Sequence, residues 1–128
     1  MTVTTLMTNT GEAMLAHLLK GDTSTKGYVT HIAIGTGTGA LSETDTALGN
    51  EISRKTATIT VYTGSDPNAN KVRFEALWDT NEGNGSIAEA GLFTASSGGN
   101  MFARARIDPA INKTSDYTLK ITWEVAFE

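Results

Sequence analysis

Residues 116–128 read DYTLKITWEVAFE, and their alternation decides the fold class. Tyr117, Leu119, Ile121, Trp123, Val125 and Phe127 point one way, and Thr118, Lys120, Thr122, Glu124 and Ala126 the other. A slip of one residue would expose six large apolar side chains, so the register of this strand is strongly specified. Working back along the chain, KVRFEALW sets Val72, Phe74, Ala76 and Trp78 against Lys71, Arg73 and Glu75. TATITVYT sets Ala57, Ile59 and Val61 against threonines and Tyr62, and YVTHIAI is a β-branched run. Each reads as a half-buried strand. Between them TGSDPNAN (63–70), DTNEGNGS (79–86) and SSGGN (96–100) are dense in Gly, Asn, Asp and Ser and read as hairpin connections.

Only the start of the chain departs from period 2. In NTGEAMLAHLLKG, Asn9 stands where a helix cap is expected and Glu12 where a capping box would reach back, while Met14, Leu15, Leu18 and Leu19 share one face and Gly21 ends the helix. The resulting expectation is a mainly β single domain over residues 1–128, an antiparallel, jelly-roll-like β-sandwich (28–128) carrying a short N-terminal amphipathic helix (9–21). Residues 1–8 read either as an arm that adds a strand to another chain or as an ordinary edge strand.

Composition narrows the function classes. The chain has 128 residues, which suffices for one core, and 39% of them are hydrophobic, with 13 glycines besides. A net charge of -4 with no basic run opposes binding to a phosphate backbone. No cysteine is available for a disulfide, a thiolate metal site or a nucleophile. The apolar run from Ala13 to Leu19 is too short to cross a bilayer, so no membrane insertion is expected.

Several motifs invite a sharper reading. HIAIGTGTGA carries Gly35-x-Gly37-x-x-Ala40, the spacing of a dinucleotide loop, but the apolar residues that follow, Leu41, Leu48 and Ile52, are too sparse for the crossover helix such a loop opens; it reads as a glycine turn. Asp79 and Asn81 open a calcium-loop pattern that fails where Asn84 replaces glycine and Ala90 replaces the bidentate glutamate. His17 and His31 have no ligand or base partner at a useful spacing. The carboxylate pairs Glu43 with Asp45 and Glu82 with Glu89 lie in polar, turn-rich sequence, without the apolar pocket that would raise one pKa. No catalytic residue, metal site or cofactor follows. In NMFARARID, Phe102, Arg104 and Arg106 alternate onto one side; in an acidic protein this reads as an ion-paired face or a subunit contact before a nucleic-acid stripe.

Four segments, LMTNTGEAMLAHLL, THIAIGTGTG, TDTALGNEISR and IAEAGLFTA, in that order, resemble the N-terminal domain of tailed-phage tail-collar fibre proteins. The matching positions are Leu6, Thr8, Asn9 and Gly11; Gly35, Gly37 and Gly39; Thr46, Leu48, Asn50, Glu51 and Arg54; and Ile87, Glu89, Gly91, Leu92 and Phe93. Thr36 stands where the family usually has an acidic residue and Ser53 where it has an aromatic. The resemblance implies a non-enzymatic virion structural protein, made and assembled in the host bacterial cytoplasm. It implies a homotrimer that contacts other virion proteins of the tail or baseplate, with no nucleic acid. Because the chain ends with its last strand at Glu128, no fibre shaft of its own is expected. That leaves a stand-alone tail adaptor, with a capsid decoration protein docked on the major capsid protein as the alternative. A carbohydrate-binding module using Trp78, Tyr62 or Trp123 is a lesser one. The expected structural junction or interface comprises Glu51, Arg54, Glu89, Phe93, Phe102, Arg104 and Arg106, with Arg54 pairing Glu51 or Glu89 to hold the glycine loop.

Overall fold

The computed structural model of the chain describes residues 1–127, so Glu128 lies outside the described residues. Eight strands and one helix follow in the order β1 (Thr2–Met7), α1 (Asn9–Leu19), β2 (His31–Gly35), β3 (Glu51–Thr56), β4 (Thr58–Val61), β5 (Lys71–Trp78), β6 (Gly85–Phe93), β7 (Met101–Lys113) and β8 (Leu119–Ala126). They form two antiparallel sheets, β1-β7-β6-β2-β3 and β4-β5-β8, facing each other as a sandwich. The mainly β expectation with a short helix near the start holds.

The alternation of β8 and β5 works as read. Val72 lies opposite Val125, Phe74 opposite Trp123, Ala76 opposite Ile121 and Trp78 opposite Leu119. These residues meet Ile32, Ile34, Ile87, Ala90, Leu92, Ala103, Ala105 and Ile107 of the larger sheet in one core. Each large side chain buried there contributes about 1.5–3 kcal/mol. Trp78 is fully buried and its indole Nε1 donates to Ser53 Oγ at 2.8 Å. Since Trp123 is buried as well, neither tryptophan forms an exposed sugar platform.

Several local expectations are corrected. The helix cap is Thr8, not Asn9: Thr8 Oγ1 accepts from the Gly11 N–H at 2.9 Å and donates to Met101 O at 2.6 Å, while the Thr8 N–H donates to Phe102 O at 3.1 Å. The helix is thereby pinned to β7, and the third helical position is Gly11 rather than Glu12. A Cβ on Gly11 would lie 2.1 Å from Phe102 O, so only glycine permits the approach. On the helix, Met14 is buried but Leu19 is 90% exposed. The helix stops at Leu19, and Gly21, at φ +89°, ends it by donating to Leu18 O at 2.9 Å.

Ile59 and Val61 are exposed rather than half-buried, because β4 is an edge strand. Residues 51–56, not read as a strand, form β3, and the chain turns at Ala57 from the large sheet into β4 of the small one. The 79–86 stretch carries the chain from β5 in one sheet to β6 in the other, so it is a crossover and not a hairpin; 63–70 and 96–100 are hairpin connections as expected. Residues 2–7 form the edge strand β1 on β7 of their own chain.

The last correction concerns β7. Leu92 pairs with Ala103 and Phe93 with Met101, which leaves Phe102 as an extra residue in a bulge. The bulge sends Phe102 into the sandwich core with Met14 and puts Met101 with Phe93 on the opposite face. Phe102 therefore does not share a side with Arg104 and Arg106.

Candidate functional site

The outer face of the large sheet would be solvent-exposed in a bare sandwich, but here the segment from Thr36 to Asn50 folds back over it. Leu48 anchors this cover, packing on Ala33, Phe93 and Met101 in a second small apolar cluster. Beneath the cover lies Glu89, at the middle of β6, fully buried. Its Oε2 accepts from the Gly37 N–H at 2.7 Å and the Asn50 N–H at 2.8 Å, and its Oε1 from the Gly49 N–H at 2.8 Å. One carboxylate thus holds both the entry and the exit of the covering segment.

The charge is balanced by Arg104 on the neighbouring strand, itself 4% exposed, whose Nη2 lies 3.0 Å and Nε 3.2 Å from Glu89 Oε1. Arg104 Nη1 donates to Asp45 Oδ2 at 3.0 Å and to Ala40 O at 3.2 Å, tying the same guanidinium to the middle of the cover. Burial pushes the Glu89 carboxyl up, but the N–H groups of Asn50, Gly49 and Gly37, with the Arg104 guanidinium, outweigh it and hold the carboxyl below the ordinary glutamate range. It is ionised at neutral pH.

The close fit explains the glycines. A Cβ on Gly37 would stand 2.5 Å from Glu89 Oε2, and one on Gly35 would stand 2.4 Å from Asn50 O. The glycine run therefore does what such a run does in a phosphate loop, presenting backbone N–H groups to an anion, except that the anion is a side chain of the same protein.

Of the two partners expected for it, Arg54 takes Glu51 and not Glu89. It pairs with Glu51, Nη2 to Oε1 at 2.7 Å and Nε to Oε2 at 2.9 Å, and does not reach Glu89. Its guanidinium lies 3.8 Å above the Phe93 ring centroid, and Nη1 donates to Ala95 O and Gly98 O at 2.9 Å each. Arg54 thus fastens the β6–β7 turn to β3. Arg106 reaches the cover too, donating through Nη1 to Thr38 O and Gly39 O. Of the seven expected junction residues, Glu89, Arg104 and Arg106 meet at the cover, Glu51, Arg54 and Phe93 form an adjoining cluster, and Phe102 is in the core. Neither arginine of the NMFARARID segment lies on a free basic stripe.

The calcium-like segment shows the same behaviour with the sign reversed. Lys113, 2% exposed, fills it: Nζ donates to Asp79 O at 2.9 Å and to Asn84 Oδ1 at 2.7 Å. Glu82 accepts from Lys55 Nζ at 2.7 Å, and this contact holds its carboxyl below the usual range. Sequence reasoning missed Lys113, read Asp45 only beside Glu43 in polar, turn-rich sequence and not as a partner of Arg104, and paired Glu82 with Glu89 although the two belong to different clusters. Asp22 was missed as well: its Oδ2 lies 3.1 Å from His17 Nδ1 and accepts from Thr25 Oγ1 at 2.5 Å, in a local turn after the helix. Among the described residues no group of three or more His, Cys, Asp or Glu side chains is arranged to hold a metal. Among the described residues no helix is long and apolar enough to cross a membrane.

Gly37, Asp45, Gly49, Asn50 and Glu89 come from three of the four dispersed segments, and the sheet brings them together with Arg104 and Arg106, which lie outside those segments. The sequence model of the family described as phage tail-collar fibre protein, N-terminal, matches residues 1–122. No curated protein matches the chain.

Proposed function

From a chain that belongs to the phage tail-collar fibre protein family, in its N-terminal part and over residues 1–122, we propose a non-enzymatic attachment domain, which fixes a tail fibre to the baseplate through protein–protein interfaces. The family makes it a virion structural component. What supports the finer reading is the buried clamp: Glu89 engages three backbone N–H groups and Arg104, so the glycine loop spends its anion-binding capacity on holding its own shape. The exposed surface of that segment, including Thr38, Ser42, Glu43, Thr44 and Thr46, becomes a preformed docking plate that loses little conformational entropy on binding. The resemblance adds three-fold symmetry and contacts with neighbouring tail proteins to this reading.

Gold-labelled antibody electron microscopy on purified virions tests it. Label at the tail tip or baseplate is expected. Label spread over the head would replace the reading with capsid decoration, and unlabelled virions would overturn it.

A further inference from the structure

The two sheets are unequal, and the mismatch falls on one side of the sandwich. On the β3–β4 side the chain itself crosses from sheet to sheet at Ala57. On the other side both sheets simply stop, the larger at β1 and the smaller at β8. Between these two free edges lies an open cavity of about 400 Å³, walled by Val3, Ala105, Ile107, Ile111, Ile121 and Trp123. β8 is eight residues long and regular in register along its whole paired length, with none of the bulges that blunt an edge.

The charges on the outer face of β8 say what fits beside it. Lys120, Thr122 and Glu124 face outward in that order. Within the sheet, Lys120 Nζ lies 3.0 Å from Glu75 Oε2, and Arg73 Nη2 lies 2.9 Å from Glu124 Oε1, so the sign of charge already alternates from strand to strand. Placing a second β8 antiparallel, with Thr122 opposite its own copy, continues that alternation: Lys120 falls opposite Glu124 and Glu124 opposite Lys120. The same register sets Ile121 against Trp123 and Leu119 against Val125 on the inner face. A shift of two residues either way breaks both ion pairs, a shift of four sets Lys120 or Glu124 against itself, and a shift of one turns the apolar face outward.

We propose that β8 is a homotypic edge, pairing antiparallel with β8 of a second copy of this chain across a two-fold axis at Thr122 and closing the cavity between the sheets. The contact is isologous, so it joins two copies, or two trimers where a three-fold contact also exists. It does not depend on the position of the protein in the virion.

The test is the solution mass of the whole chain by sedimentation, up to millimolar concentration, for the wild type, Lys120→Glu and Glu124→Lys. The expected wild-type mass is an even multiple of 13.5 kDa. Each variant alone sets like charges against each other across the axis and should show half the wild-type mass while keeping its circular dichroism spectrum. Mixing the two variants in equal amounts restores opposite charges at both positions, and the wild-type mass should return. An odd multiple, a mass that neither variant changes, or two folded variants whose mixture fails to reassociate overturns the proposal. A tail-tip label with a strictly trimeric mass would leave the attachment function standing and remove only this edge.

Discussion

Replacing Glu89 with glutamine removes one charge and almost no volume, which makes it a direct probe of the clamp. The amide has one acceptor oxygen where the carboxylate has two. If that oxygen takes the Oε2 position, the new NH2 group meets the Gly49 N–H and two N–H groups of Arg104; if it takes the Oε1 position, the NH2 meets the N–H groups of Gly37 and Asn50. Either way at least two buried donors lose their acceptor, at about 1–3 kcal/mol each, and Arg104 keeps only Asp45 as a counter-charge. The expected loss is about 3–5 kcal/mol, a large share of the roughly 5–15 kcal/mol that holds a domain together. For a chain of this size it corresponds to a fall in Tm of about 10–20 °C, measured by circular dichroism or calorimetry at pH 7. The pH dependence supplies an independent check. Because the folded-state pKa of Glu89 is depressed, its stabilisation is complete above the ordinary glutamate value of 4.5 and is lost as pH falls below it toward the lower folded value. The gap between wild type and Glu89→Gln should therefore narrow as pH drops below that value. A variant within about 1 kcal/mol of wild type at pH 7, the low end of the cost of a single orphaned donor, or a gap that stays constant into strong acid, would refute the clamp as the source of the stability.

Gly37→Ala should cost about 1–3 kcal/mol by forcing a Cβ against Glu89 Oε2 and Gly49 Cα, and its cost should shrink but not vanish in a Glu89→Ala background, where the nearer clash is gone and Gly49 Cα remains; a double-mutant cycle of Tm values reads both. Lys113→Met leaves Asp79 O and Asn84 Oδ1 without their buried donor, so amides of the 79–84 segment should exchange with solvent faster, with about 1–3 kcal/mol lost overall. Arg54→Lys keeps the charge but gives up the two-pronged contact with Glu51 and the stack on Phe93, and should lower stability by about 1 kcal/mol in urea titration. Thr8→Ala removes the cap and the bond to Met101 O, at about 0.5–2 kcal/mol, with loss of helical signal ahead of the sheet on heating.

The sandwich was legible in the sequence because β5 and β8 each bury one face, and a strand buried on one face writes its structure as strict alternation. The strands buried on both faces hide theirs. In SIAEAGLF, Ile87, Ala88, Ala90, Gly91, Leu92 and Phe93 are all buried, so no period separates one side from the other, and Glu89 reads as one more polar residue near a turn. That absence of period was itself the available signal: a carboxylate inside a run apolar on both sides has no solvent to face and must have a partner. Which partner lay beyond local reading. Arg104 lies opposite Gly91, next to Glu89 across the β6–β7 ladder, because the bulge at Phe102 resets the faces of β7, and the helix docks on that bulge through the Thr8 N–H to Phe102 O. Arg54 was correctly paired with Glu51, which is three residues away and needs no tertiary knowledge. The glycine run showed its readiness for an anion and not which one, since a carboxylate fifty-two residues further on has no local mark.

This chain has no cysteine, yet Glu89 does for it what a disulfide does for a small secreted protein. By gripping Gly37 and Gly49 at once it closes a ring in the backbone, and a covalent cross-link over a ring of similar length is worth about 3 kcal/mol in lost freedom of the unfolded chain. A staple made of hydrogen bonds needs no oxidant to form, cannot pair with a wrong sulfur, and is indifferent to reducing agents. It opens only when the whole pocket opens, so the ring and the sheet beneath it should yield together and not in turn.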